Sequence, residues 1–208
     1  MNSPSGSPLV LLGGTFDPPH IGHLVLAECA RVQFGAPFAV FLPAGDPWRK
    51  TGSAPGPPPL TTRTVSPAGH RLEMARLATR DNTHFRVDDR EVRRARPSYM
   101  FETLEELHRE GQRNVVLVIG SDALEDLPNW RQPDRIRELA TLAVARKASD
   151  SRLATRKSRL LEVDMPRLEI SSTEIRARVA DGRPIRYLVP PAVEAYIAEH
   201  ALYRAPDD

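Results

Sequence analysis

Two histidines, His20 and His23, follow a pair of adjacent glycines, Gly13 and Gly14, in the stretch GGTFDPPHIGHL. Each imidazole can donate a hydrogen bond from its ring and carries positive charge once protonated. On a helix, at ~100° per residue, the two rings project from nearly the same face. Adjacent glycines let the main chain approach a bulky anion, and a helix start offers unpaired N–H groups and the positive end of a dipole. Together these groups suit a phosphoryl group whose charge moves between oxygens during transfer, chemistry that needs no protein nucleophile. Gly22, between the histidines, leaves room for a nucleotide. Zinc is the rival use of two such histidines. It would need further ligands, and the single cysteine, Cys29, falls on the same helix while the other histidines lack metal-site spacing. The G-x-G-x-x-G of a dinucleotide turn is missing, so phosphate binding is the reading and no protein-held metal is expected.

A second group able to hold phosphate lies about 150 residues further on. In Ile170-Ser171-Ser172-Thr173-Glu174-Ile175-Arg176, Ser171 and Glu174 have the spacing of a capping box. Ser172 and Thr173 present hydroxyls and Arg176 a guanidinium fork. A capped surface helix would carry the same letters. The pattern gains weight only because the first motif also opens a helix behind a strand.

These groups require elements that bring them together. Pro8 to Leu12 and Phe38 to Leu42 read as short strands buried on both faces, with a helix from Ile21 to Phe34 between them, a βαβ unit. Further strands are expected at His84–Val87, Val115–Ile119, Thr141–Ala145 and, last, Leu168–Ile170. Ser66-Pro67 is expected to cap a helix running to about Thr79, and Ser98 one that carries Phe101, Leu104 and Leu107 and stops at Gly111. A short helical region surrounds Pro128-Asn129-Trp130, and a final helix spans Pro190 to His200. The alternation predicts an α/β, doubly wound parallel sheet, Rossmann-like, with a small C-terminal helical part over 171–204. One domain covers 1–208, with a flexible tail at 1–8, a flexible proline-rich loop at 52–59 and an irregular polar stretch at 147–158.

A formal net charge of +2 on 208 residues, with the basic residues scattered, argues against a nucleic-acid surface. No apolar run is long enough for a membrane span, and no signal peptide opens the chain. With one cysteine, a cytoplasmic location is expected.

GGTFDPPHIGHL resembles the signature of the HxGH nucleotidyltransferases, and ISSTEIR resembles that superfamily's second motif. Three further segments are similar to the bacterial nicotinate mononucleotide adenylyltransferases in particular. Pro97-Ser98-Tyr99 with Thr103-Leu104 matches a PSYTxxTL element, Ile119-Gly120-Ser121-Asp122-Ala123-Leu124 an IGxDxL turn, and Pro128-Asn129-Trp130 a PxW. The resemblance runs from about Leu9 to Arg204. It implies a nucleotidyltransferase fold and adenylyl transfer from ATP to nicotinate mononucleotide, with Mg²⁺ held mainly by substrate phosphates. It implies catalytic roles for His20, His23 and Arg176. ATP would meet Gly13, Gly14, Thr15, Phe16, Gly22, Gly120, Asp122, Ser171, Ser172 and Thr173, and the mononucleotide Lys50, Tyr99, Thr103, Trp130 and Arg146. The chain departs from the pattern at Met100, where many members have threonine, at Trp48, where many have histidine, and in the 52–59 insertion. Met100 leaves nicotinamide mononucleotide open as the substrate. Another adenylyl- or cytidylyltransferase and a non-catalytic nucleotide-binding regulator are the remaining alternatives, and self-association is left open.

Overall fold

A computed structural model describes residues 6–60, 64–145 and 160–204. The strands are β1 (Leu9–Gly14), β2 (Ala39–Pro43), β3 (Phe85–Val87), β4 (Val115–Ile119), β5 (Thr141–Ala145) and β6 (Leu160–Val163). The helices are α1 (Ile21–Gln33), α2 (Trp48–Thr51), α3 (Ala68–Thr79), α4 (Arg90–Arg93), α5 (Met100–Arg109), α6 (Ser121–Asp126), α7 (Pro133–Leu139), α8 (Ser172–Ala180) and α9 (Pro191–Glu199), with a 3₁₀ turn over Leu127–Asn129.

The strands form one sheet in the order β3-β2-β1-β4-β5-β6, and every neighbouring pair is parallel. A parallel sheet is covered on both faces, so alternate residues of one strand enter different cores. Leu9 and Leu11 of β1 pack with Leu104 and Leu107 of α5 and Ile136 and Leu139 of α7. Val10 and Leu12 pack on the other side with Leu26, Ala27 and Ala30 of α1. That is why the strands read as unbroken apolar runs. A third core joins Met74 and Ala78 of α3 to Ile175 of α8 and Val193 and Ile197 of α9, and it forms the C-terminal helical part.

Strand order reverses direction between β1 and β4, and a crevice opens there beyond the carboxyl ends of the strands. Gly14 ends β1 and Gly120 follows β4, so both glycine turns reach this crevice. The sheet therefore sets the first motif where a ligand can enter.

Three expected local features differ. The last strand is Leu160–Val163, not Leu168–Ile170. Leu142, Ala143, Val144 and Ala145 of β5 pair with 160–163, and Val163 is fully buried. Leu168 is exposed and borders the crevice. Ser66 does not cap α3: its N–H donates to Asp17 Oδ2 at 3.3 Å, and its carbonyl accepts from Arg71 Nε at 2.8 Å. Ser98 does not cap α5 either. Its Oγ accepts from the N–H groups of Gly45 and Asp46, at 2.9 and 3.3 Å, donors that the loop after β2 leaves without strand partners. The 52–59 segment adopts neither helix nor strand. The start of the expected tail, residues 1–5, and the 147–158 stretch lie outside the described residues.

Candidate active site

The crevice is a cavity of about 1180 Å³. That exceeds the roughly 300–1,000 Å³ of a typical single-ligand pocket and leaves space for two nucleotides. Its walls bring together all but two of the residues singled out above.

One end is built by both phosphate motifs. Ser172 Oγ donates to Pro18 O at 2.8 Å and Arg176 Nη1 donates to Asp17 O at 2.7 Å, across separations of 154 and 159 residues. Arg176 Nη2 also donates to Thr173 Oγ1 at 2.9 Å. The starts of α1 and α8 are therefore fastened face to face. Ser171 performs the cap expected of it, its side chain accepting from the Glu174 N–H at 3.1 Å. The Glu174 carboxylate turns instead to Arg178, at 2.9 Å, so the reciprocal half of a capping box is not made.

His20 and His23 lie ring over ring, their centroids 3.7 Å apart. The His20 backbone N–H donates to His23 Nδ1 at 3.2 Å, so a neutral His23 carries its proton on Nε2 and can donate from there. His20 Nδ1 is buried and has no partner among the described residues, which suits an incoming polar atom. Burial lowers the His20 pKa to about 4. Burial also puts His23 well below its ordinary value, helped by the nearby charges of His20 and Lys50. Both rings are thus neutral hydrogen-bond donors at neutral pH, a refinement of the charged pair that the letters alone suggested. Phe16 packs its edge against His23, with centroids 5.1 Å apart, and has a positive φ of 52°. A Cβ on Gly14 would lie 2.9 Å from the Phe16 ring, so only glycine fits beneath it.

Gly13, Thr15, Gly22, Gly120 and Asp122 also line the cavity. Lys50, Tyr99, Met100 and Trp130 line it too, with Lys50 near enough to His23 for its charge to act there. Tyr99 meets Trp48 edge to face at 5.6 Å, and the Arg131 guanidinium lies over its ring at 5.7 Å. No carboxylate among the described residues pairs with Arg131. Met100, rather than a hydroxyl side chain, borders Gly13.

Two expected residues stand apart. Thr103 does not line the cavity. It is fully buried, donates to Glu91 Oε1 at 2.6 Å and accepts from Arg94 Nη1 at 2.8 Å, and so props the wall from behind. Arg146 lies outside the described residues.

Several supporting side chains have roles that the sequence reading did not assign. Arg71 is buried and donates to the carbonyls of Thr15, Ala44, Gly45 and Ser66, binding the turns after β1 and β2 to α3. The Asp17 carboxylate is buried and accepts from Tyr203 OH at 2.7 Å. Each of these acts through partners distant in sequence, so spacing along the chain gave no signal. Among the described residues no group of three His, Cys, Asp or Glu side chains could hold a metal ion, and no helix is long and apolar enough to cross a membrane.

Comparison with known proteins is consistent with this geometry. The model of a family described as cytidylyltransferase-like matches residues 11–178. A protein of Roseiflexus sp. (strain RS-1), named "Probable nicotinate-nucleotide adenylyltransferase", is 44% identical over 208 residues, covering 96% of this chain and 100% of that one. One of the same name from Thermomicrobium roseum is 41% identical, covering 95% and 92%. A Plasmodium falciparum nicotinic acid mononucleotide adenylyltransferase, solved in complex with NaAD, shares the fold with a TM-score of 0.72 at 15% identity over 95% of this chain and 97% of that one. The chain belongs to the nicotinate-nucleotide adenylyltransferases, within the cytidylyltransferase-like family.

Proposed function

We propose that the protein transfers the adenylyl group of ATP to nicotinate mononucleotide, forming nicotinate adenine dinucleotide and pyrophosphate. The observation that carries this reading is the pair of hydrogen bonds joining Ser172 and Arg176 to the main chain of Pro18 and Asp17, which gives two phosphate cradles one cavity. An aromatic end built from Tyr99 and Trp130 shares the same cavity and offers flat faces to a pyridine ring.

In this reading an oxygen of the mononucleotide 5′-phosphate attacks the α-phosphorus of ATP. The bond from that phosphorus to the bridging oxygen breaks, and its electron pair leaves with pyrophosphate. No proton need be removed from an already ionised phosphate, so the protein's task is placement and charge stabilisation. His20 and His23 donate to phosphate oxygens whose charge grows as the bridge breaks. Arg176 and the hydroxyls of Ser172 and Thr173 hold the triphosphate, and Lys50 faces the mononucleotide phosphate. ATP enters as its magnesium complex. The side chains fit an ion carried by phosphates, since the cavity end where they would lie supplies imidazole, hydroxyl and guanidinium donors rather than a carboxylate cage.

The acid is favoured over the amide by Arg131, a cation beside Trp130 that is not neutralised by a described carboxylate. Pyrophosphate release with ATP and nicotinate mononucleotide tests the reading. Nicotinamide mononucleotide and CTP serve as the competing substrates, and a higher kcat/KM with either would displace it. A single cysteine agrees with a cytoplasmic enzyme.

A further inference from the structure

Neither phosphate motif accounts for a buried ion pair in the cavity wall. Arg49 lies in α2 and Asp126 closes α6. Arg49 Nε donates to Asp126 Oδ2 at 2.8 Å and Nη2 to Oδ1 at 2.7 Å, a two-pronged contact between residues only 8% and 7% exposed. Asp126 accepts two further hydrogen bonds, from Trp130 Nε1 at 3.2 Å and Asn129 Nδ2 at 3.0 Å. The remaining Arg49 nitrogen, Nη1, donates to the carbonyls of Pro57 and Pro58 at 3.0 and 3.1 Å. Leu60 N–H donates to Arg49 O at 2.7 Å.

One pair of side chains thus ties the proline-rich segment to the indole of Trp130. Stability alone is a poor account of it, because a buried ion pair is often no more stable than two apolar residues of similar volume. An apolar pair, however, has nothing to accept the indole N–H. Anchored at that edge, the ring cannot turn about its side-chain bonds without giving up a half-buried hydrogen bond to a buried carboxylate. Hydrogen bonds from Arg49, the largest influence, hold the Asp126 carboxyl below its ordinary pKa, so the anchor stays ionised at neutral pH.

We propose that Arg49 and Asp126 are positioning residues that fix the Trp130 indole for the mononucleotide, and so set affinity for that substrate without setting affinity for ATP. The inference rests on the functional reading above.

Steady-state pyrophosphate release is measured for the wild type, Asp126→Asn, Trp130→Phe, their combination, and the apolar pair Arg49→Met with Asp126→Leu, with melting temperatures alongside. Asp126→Asn is expected to raise KM for nicotinate mononucleotide about tenfold and to leave KM for ATP within about twofold. In the Trp130→Phe background, which has no indole N–H to hold, Asp126→Asn should add less than about twofold. The apolar pair should recover the wild-type melting temperature while its mononucleotide KM stays raised, and it carries the test if Asp126→Asn does not fold. Equal increases in both KM values, an undiminished effect without the indole, or joint recovery of KM and melting temperature would each overturn the proposal. A wild type that releases no pyrophosphate from either mononucleotide overturns the functional reading and this inference together. An active wild type with an unmoved mononucleotide KM in Asp126→Asn overturns this inference alone.

Discussion

His20 and His23 have to be neutral in the empty cavity and yet serve an anion. An incoming triphosphate raises both pKa values, so ATP binding should be accompanied by proton uptake as pH falls below neutrality. Calorimetry of ATP binding in buffers of different ionisation enthalpy measures that uptake. Without ligand the balance reverses. The folded His20 pKa of about 4 lies below its ordinary 6.5, so between those values the unfolded chain holds more protons. The stability contributed by neutral His20 is complete above about pH 6.5 and is lost as pH falls toward 4, by about 3 kcal/mol in all. Urea unfolding at pH 7 and pH 4.5 should show the loss, and His20→Asn should reduce it. For the reaction, His23→Ala is expected to lower kcat by roughly 10²–10³-fold with little change in KM for ATP, because the ring acts most strongly on charge that develops late. An unchanged kcat would refute its role. At this scale the chemistry was legible wherever reacting groups sit close in sequence, as the two histidines do. The groups that hold them were not. Asp17, Arg71 and Asp126 have no role that their own sequence neighbourhood shows, because most of their partners come from other segments.

Helix starts and strand ends carry the argument one level up. The α1 and α8 starts were both recognisable, one from glycines and histidines, the other from its serine cap. Their mutual contact is made by hydrogen bonds from Ser172 and Arg176 to the main chain of Pro18 and Asp17. The misplaced last strand has a simple cause. Leu-Glu-Ile at 168–170 and Leu-Leu-Glu-Val at 160–163 both suit an edge strand, and only pairing with β5 decides between them. The caps expected at Ser66 and Ser98 failed for a related reason: their polar groups are used by loops and side chains that local pattern cannot see. Arg71 joins α3 to the turns after β1 and β2. Replacing it with methionine removes the donor from four carbonyls and should cost about 3–5 kcal/mol in urea unfolding. A loss under about 1 kcal/mol would mean that water replaces it.

Across the whole molecule every neighbouring strand pair is parallel and helices lie between successive strands from β1 to β5, so the architecture could be anticipated from the alternation of elements. How the C-terminal helices close the site could not, because the core of Met74, Ile175, Val193 and Ile197 joins segments without any shared pattern. Ile175 is fully buried there and belongs to the helix that bears Arg176. Ile175→Ala should destabilise by about 2–5 kcal/mol and also weaken ATP binding. Ile175→Val, with a smaller void, should retain most of both, as read by thermal melting with and without ATP.

The hydrogen bond from Tyr203 to Asp17 spans 186 residues. During translation the histidine turn therefore leaves the ribosome long before the hydroxyl that braces it has been made. A nascent chain or a prematurely terminated product would display the glycine–histidine letters in full while having no finished site to use them. The finished brace on that turn exists only once the chain has been made through Tyr203.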